Sequence, residues 1–335
     1  MAGNKPLIAA NRAKQDEFYT QLTDIEKELK HYRDHFRDKT VYCNCDDPTI
    51  SNFFRYFHLN FEKLGLKKLI TTCYKNQQTD LFSKHDMENA AGLEYIGSGT
   101  EPTVFQLEED GDFRSRECIE LLKQADIVVT NPPFSLFREY IAQLVEYSKK
   151  FVVIGNKNAI TYKEIFPLIK GDKLWIGNTP MSQDLLFDVP KQYAEELRKT
   201  KKPGSAYKIV DGIVKARSQS VWFTNLDHKK RHEDLILYKK YSPDEYPKYD
   251  NYNAINVDKT ADIPVDYAGE MGVPISFLDK HNPDQFDIVG FDYEIKQGLL
   301  PELVDKNWQG KLDRGYINGK RMYTRIIIRN KRIQP

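Results

Sequence analysis

Ala125-Asp126-Ile127-Val128-Val129-Thr130-Asn131-Pro132-Pro133-Phe134 is the stretch that decides the fold. An apolar, β-branched run of this length reads as a strand buried on both faces. Two consecutive prolines cannot continue it, because each lacks an N–H and fixes φ at about −65°. The strand therefore stops at Asn131. Beyond it, Leu136, Phe137, Tyr140, Ile141, Leu144 and Val145 recur at helical spacing, with Ser135 as the expected N-cap.

The same alternation extends outward in both directions. Upstream, Phe18, Leu22, Ile25, Leu29, Tyr32 and Phe36 form one side of a helix whose other side is charged. Residues 39–45 read as a strand, and Ser51 caps a helix carrying Phe53, Phe54, Phe57, Phe61 and Leu64 that Gly65 ends. Residues 67–74 form a second strand. Residues 93–96 and 103–107 alternate like a hairpin or an edge pair, and residues 115–124 like a short helix. Downstream come a strand at 151–154, a helix near 162–169, and strands at 173–176 and 220–226.

Strands and helices alternating at this spacing predict an α/β fold, Rossmann-like, with a largely parallel sheet and helices on both faces. Beyond residue 240 the texture becomes rich in Pro, Tyr, Asp and Asn, with short strand-like pieces. Two regions are therefore expected, 1–240 and 241–335.

The chain has 335 residues, 40% hydrophobic and 30% charged, with 20 tyrosines and 18 phenylalanines. That is enough to bury a sizeable core, and it argues against disorder. No run of apolar residues is long enough to span a membrane or serve as a secretory signal, so a cytoplasmic protein is expected. Cys43, Cys45, Cys73 and Cys118 read as reduced thiols. Cys43-x-Cys45 lacks the paired spacing of a zinc site, and no metal is expected. The net charge of +1 neither demands nor excludes a polyanionic partner, although basic clusters occur at 198–202, 229–231 and 321–332. No long amphipathic surface is left over for a partner copy, so a monomer is expected.

In an open α/β sheet, ligands sit outside the carboxyl ends of the strands, where Asn131 to Phe134 would lie. An aromatic amine such as adenine N6 is a poor nucleophile, because its lone pair is delocalised into the ring. The Asn131 side-chain oxygen and the Pro132 carbonyl are the acceptors that would draw it toward tetrahedral geometry. Pro132 and Pro133 hold those carbonyls without competing donors, and Phe134 offers a face for stacking an extruded base. The plain alternative is a strand-ending turn.

These residues resemble the EcoRI-type adenine-specific DNA methyltransferases. The resemblance extends from Asn131-Pro132-Pro133-Phe134-Ser135-Leu136-Phe137 to Ala13-Lys14-x-Asp16-Glu17-Phe18-Tyr19-Thr20-Gln21, Val41-Tyr42-Cys43-Asn44-Cys45-Asp46-Asp47-Pro48, Gly272-Val273-Pro274-Ile275-Ser276-Phe277-Leu278-Asp279 and Asn318-Gly319-Lys320. It implies S-adenosyl-L-methionine as cofactor, double-stranded DNA as substrate, and a smaller C-terminal target-recognition region. A cognate restriction endonuclease would be a functional partner, and a solitary methylase is the other role it allows.

By the resemblance, Phe18, Tyr19 and Thr20 would close over the methionine end of the cofactor, with Asp46, Asp47 and Pro48 at the end of the first strand. The usual Gly-rich turn after that strand is missing, and the helix start at Asn52 is expected to replace it. Asp112 and Phe113 resemble the pair that holds the cofactor adenine; a surface Gly-Asp turn is the alternative. Phe187 and Pro190 resemble a loop that packs on the flipped base, and Phe187 could equally be core. Lys199, Lys201 and Lys202 belong to a flexible basic loop suited to phosphates, or simply to solvent. Arg314, Lys320, Arg321 and Arg325 are candidates for base readout, on a segment that also fits a half-exposed strand. An RNA or protein-glutamine methyltransferase, and a non-catalytic DNA-binding relative, are the competing readings.

Overall fold

The computed structural model describes residues 20–45, 51–73, 90–97, 100–189 and 191–333. The chain divides into two compact units, Met1–Pro167 with Leu174–Asp227, and Leu168–Lys173 with His228–Pro335. The sequence reading had placed the change of texture near residue 240.

The first unit opens with helix α1 (Leu22–Leu29), which tightens into a 3-10 segment, Lys30–His35. Its polar side is not all solvated. Glu28 is fully buried and accepts from the Asn178 and Thr179 N–H groups (2.6 and 2.7 Å) and from the Tyr32 hydroxyl (2.7 Å). Three donors on one carboxylate offset its desolvation. Strand β1 (Thr40–Asn44) is buried at every position, and α2 (Asn52–Leu59) begins where the Ser51 hydroxyl accepts from the Phe53 and Phe54 N–H groups. Such a cap contributes about 1 kcal/mol. Helix α3 (Phe61–Leu64) ends at Gly65, whose φ of 64° lies in the left-handed region that glycine enters at least cost.

Strands β2 (Lys68–Thr72), β3 (Ala91–Tyr95) and β4 (Thr103–Gln106) follow, then α4 (Arg116–Gln124), capped by Ser115, and β5 (Ile127–Thr130). After the Asn-Pro-Pro segment come α5 (Phe137–Glu146), β6 (Lys150–Asn156), α6 (Phe166–Lys170) and β7 (Trp175–Ile176). The chain then makes β8 (Leu185–Asp188), α7 (Lys191–Thr200), β9 (Tyr207–Val210), β10 (Ile213–Ser218) and β11 (Ser220–Thr224).

Eight of these strands form one sheet in the order β4-β3-β2-β1-β5-β6-β11-β7. Strands β2, β1, β5 and β6 run parallel, β11 is antiparallel to both β6 and β7, and β3 and β4 form an antiparallel edge. The sheet is therefore mixed, with a parallel centre. β1 and β5 are buried throughout, so both faces of the centre are covered. From β1 the chain first builds one side of the sheet and then returns to lay β5 on the other. The carboxyl ends of β1 and β5 are consequently a topological switch point, the place where open α/β sheets bind ligands.

Two expectations need correction. Ser135 does not cap α5: Pro133, extended at φ −54° and ψ 119°, aims its carbonyl at the Leu136 N–H (3.0 Å), so Ser135 falls inside a single 3-10 turn and Leu136 precedes the helix. Strands β8, β10 and β9 form a second, antiparallel sheet that the sequence reading did not separate from its surroundings.

The second unit contains a four-stranded sheet, from β12 (Ala254–Asn256), β13 (Glu270–Val273), β14 (Phe286–Phe291) and a strand at Ile326–Asn330, in the order β12-β13-(326–330)-β14. A short helix α8 (Asp292–Lys296) follows β14, and a small hairpin, β15 (Tyr316–Ile317) with β16 (Lys320–Arg321), precedes the last strand, β17. Its core gathers Tyr249, Tyr252, Ile295, Leu303 and Ile327.

Candidate active site

The ends of β1 and β5 are tied together by side chains. The Thr130 hydroxyl donates to the Asn44 carbonyl, and the Tyr140 hydroxyl, reaching across from α5, donates to the Asn44 side-chain oxygen. One residue further on, the Asn131 Oδ1 atom is buried and meets no donor among the described residues. A buried acceptor left unmet costs about 1–3 kcal/mol, so its persistence is a pointer to a ligand. Pro132 is buried, and Pro133 and Phe134 are half-buried, with Phe134 packed on the main core. Beside Phe134 opens a cavity of about 530 Å³ lined also by Ser135, Arg138, Glu139, Tyr162 and Glu164. Within it the Arg138 guanidinium lies over the Tyr162 ring at 4.3 Å and 3.8 Å from the Glu164 carboxylate.

On the β1 side the structure brings together three residues singled out in the sequence. The Asn52 amide, at the first turn of α2, donates to the Thr20 carbonyl (2.8 Å), and the Thr20 backbone bridges to Phe187. Thr20 Oγ1 and Gln21 Nε2 are buried without a partner among the described residues. Where the usual Gly-rich turn is missing, Cys45 takes up the left-handed conformation itself, at φ 67°. Phe18, Tyr19, Asp46, Asp47 and Pro48 lie outside the described residues.

Past the end of β2, Gly111 at φ 75° brings the chain so close to the Cys73 carbonyl that a Cβ would stand 2.2 Å from it. Asp112 and Phe113 follow. The Phe113 ring is buried edge-on against Tyr140 (5.1 Å between centroids), next to the hydroxyl that fixes Asn44. Asp112 is not free: Arg114 donates to both of its oxygens (2.9 and 2.8 Å) and holds its carboxyl below the usual carboxylate range. Any amino group that Asp112 is to bind must share its oxygens with this guanidinium.

Phe187 requires a correction. Its ring is 1% exposed within the main core, so the core alternative holds and no face is open to a base. Pro190 lies outside the described residues. The basic segment also differs from a simple loop: Lys199 sits in the last turn of α7, while Lys201 and Lys202 follow it, and all three are exposed. Arg321 lies on β16, exposed and paired with Asp313 (2.9 Å).

The sequence reading missed Tyr140, Thr130 and Gln143. Tyr140 and Thr130 belong to an apolar stripe and an apolar strand, where only the polar tip distinguishes them, and Gln143 lies beside that stripe on α5. Gln143 donates to the Phe113 carbonyl (3.1 Å), while its Oε1 is buried without a partner among the described residues. Among those residues no group of three or more His, Cys, Asp or Glu is placed to hold a metal ion, and no helix is long and apolar enough to cross a membrane.

A mixed sheet of this order, with Asn-Pro-Pro-Phe at its switch point, is consistent with a methyltransferase whose acceptor is a planar amine. The chain belongs to the family described as adenine-specific methyltransferase EcoRI, whose model matches residues 6–331. It is 48% identical to the type II methyltransferase M.EcoRI of Escherichia coli, over 99% of this chain and 98% of that one. It is 39% identical to M.MgeORF184P of Mycoplasma genitalium over 97% and 98% of the two chains, and 37% identical to M.MpnI of Mycoplasma pneumoniae over 96% and 97%. No solved structure matches it. The protein is thus an enzyme, an adenine-specific methyltransferase.

Proposed function

We propose that the protein methylates the N6 amino group of one adenine within a short defined sequence of duplex DNA, with S-adenosyl-L-methionine as the donor. The observation that carries this reading is the buried, unpartnered Asn131 Oδ1 at the switch point. The residues around it fit the donor: Thr20, Gln21 and Asn52 beside the end of β1, and Gly111, Asp112 and Phe113 beyond β2, would hold it. When bound, S-adenosyl-L-methionine supplies an electrophilic methyl carbon.

The chain itself supplies position and acceptors. Asn131 Oδ1 and the Pro132 carbonyl accept the two N6 hydrogens, localising the lone pair on nitrogen. Pro132 and Pro133 keep donors away from those oxygens. Phe134 stacks the extruded adenine, whose removal from the helix costs a few kcal/mol. No strong base is needed, because the N6 proton leaves to solvent once the carbon–nitrogen bond has formed. The work is preorganisation, which elsewhere contributes about 10²–10³ in rate per fixed polar group.

Lys199, Lys201 and Lys202, all exposed, would meet phosphates, and the region from 241 to 335 would recognise the target while residues 1–240 would hold the donor and the adenine. The role would be modification beside a cognate restriction endonuclease, or a solitary methylase, and the enzyme would act as a monomer. Transfer of labelled methyl to unmethylated genomic DNA tests the proposal, with modification-sensitive sequencing of the product. N6-methyladenine at one short motif supports it. Label in RNA or on protein glutamine, or no transfer by folded protein, would overturn it.

A further inference from the structure

The second unit has a cavity of its own, of about 380 Å³, lined by Arg314, Arg321, Met322, Tyr323, Thr324 and Arg325. We propose that this cavity reads the major-groove edge of a guanine in the target sequence, with Arg321 and Arg314 as the reading side chains; the inference rests on the DNA-methylating function proposed above.

The site is built rather than incidental. Arg325 forms its floor: the residue is 7% exposed, its Nη2 donates to Asp258 (3.2 Å), and its Nε has no partner among the described residues. Asp292, 1% exposed, accepts from the Thr324 hydroxyl (2.9 Å) and the Arg325 N–H (3.0 Å), and lies 3.8 Å from Arg314 Nε, yet its second oxygen is unmet. Asp313 orients the rim. It accepts from Arg321 Nε (2.9 Å) and from the Tyr316 hydroxyl (3.0 Å) and lies 2.9 Å from Arg321 Nη2 in an ion pair, while its carbonyl accepts from Arg314 Nη1 (2.7 Å).

Charge and geometry choose the ligand. Each of the three arginines is already paired with a carboxylate, Arg314 with Asp292, Arg321 with Asp313 and Arg325 with Asp258, so the cavity carries little uncompensated positive charge and gains little from an anion. A neutral edge with two adjacent acceptors suits it better, and guanine O6 and N7 form such an edge. With its Nε side taken up by Asp313, Arg321 keeps its end-on Nη hydrogens for an incoming acceptor pair, and no described residue takes them. A guanidinium fixed by a carboxylate presents its fork in one direction, which base readout needs and phosphate attraction does not. Tyr323, 82% exposed at the mouth, adds a flat apolar surface beside the arginines. The turn that sets the rim is fixed too, since Asp250 accepts from the Asn318 and Gly319 N–H groups (3.2 and 2.8 Å).

The test uses the full chain and its own methylation motif, once mapped. Synthetic duplexes carry 7-deazaguanine, which lacks the N7 acceptor, at each guanine in turn, and binding is followed by fluorescence anisotropy over a range of salt. At one guanine the replacement should weaken wild-type binding several-fold. Arg321→Ala, at an exposed position, should weaken binding to the unmodified duplex by about 5- to 150-fold, abolish that sensitivity and leave the salt slope unchanged. Arg314→Lys, which keeps the charge and loses the fork, should behave likewise. A uniform loss on all sequences with a salt slope smaller by about one would overturn the proposal in favour of a phosphate contact. Unaltered 7-deazaguanine sensitivity in both variants, or a mapped motif without guanine, would also overturn it. Wild-type protein that methylates DNA but ignores every 7-deazaguanine sinks this inference alone; protein that neither methylates nor binds duplex DNA sinks the function beneath it.

Discussion

The two units handle their buried polar groups differently. In the first, regular strands satisfy most of their own backbone, side chains completing the strand starts as Asp126 does for the Thr40 N–H and Asn225 for the Phe151 N–H (both 2.8 Å), and β1 and β5 are buried at every position. Side-chain acceptors at the strand ends, such as Asn131 Oδ1, are left for something else. In the second unit much of the chain is irregular, and side chains tether it. Asn251, fully buried, donates to the Arg314 carbonyl (2.8 Å) and accepts from the Tyr316 N–H (2.9 Å). Gln285 grips the Leu235 backbone in both directions (2.8 and 2.9 Å). Buried backbone must be paired, so an irregular unit spends more of its amide side chains on structure, whereas a sheet can leave one at a strand end for chemistry.

That contrast sets the sizes of the expected effects. Asn131→Ala should lower kcat by about 10²–10³, or about 3–4 kcal/mol, with no loss of folding stability; methyl-transfer kinetics beside urea unfolding measure both, and a variant that is merely unstable breaks the contrast. Asn251→Ala leaves a carbonyl and an N–H unmet and should destabilise the second unit by about 3–4 kcal/mol. Hydrogen exchange confined to residues 228–333 is the expected signature, and uniform exchange across both units would count against separate tethering.

Asp292 sharpens the comparison through pH. Burial raises its pKa from 3.8 to about 6, so between these values the folded protein holds a proton that the unfolded chain has lost. Its contribution to stability is therefore greatest below pH 4 and falls as pH rises through 6, by about 3 kcal/mol in all. Relative to Asp292→Asn, the wild type should gain stability on acidification from pH 7 to 4; a constant difference in urea midpoints over that range would refute the assignment. The smallest effect is expected from Ser51→Ala, about 1 kcal/mol from the lost cap of α2, seen as a small downward shift in Tm.

The sequence made the sheet legible because buried parallel strands are apolar runs and their helices have period and caps: Ser51 caps as expected, and the helix read over 115–124 is present with Ser115 as its cap. Ser135 misled because Pro133 closes a tighter turn first. The position of Asn131 at a strand end followed from the two prolines, but the partners that set its surroundings did not. Tyr140 meeting Asn44 spans 96 residues, and Asn251 meeting Tyr316 spans 65, distances over which no periodicity carries information. Glu28 was hidden for a related reason, since a carboxylate on the polar side of a helix looks solvated until its donors arrive from residues 178 and 179. Phe187 looked available because its sequence neighbours do not reveal the core into which its ring packs.

The empty-handed oxygen of Asn131 also sets a trade between durability and work. A native state that keeps a buried acceptor unmet folds less favourably than the same chain with that acceptor removed, so natural drift toward a more robust protein runs through the very substitutions that silence it. Substrate reverses the sign: whatever donates a hydrogen to that oxygen returns free energy to the fold, and the working complex is expected to be more resistant to unfolding than the enzyme alone.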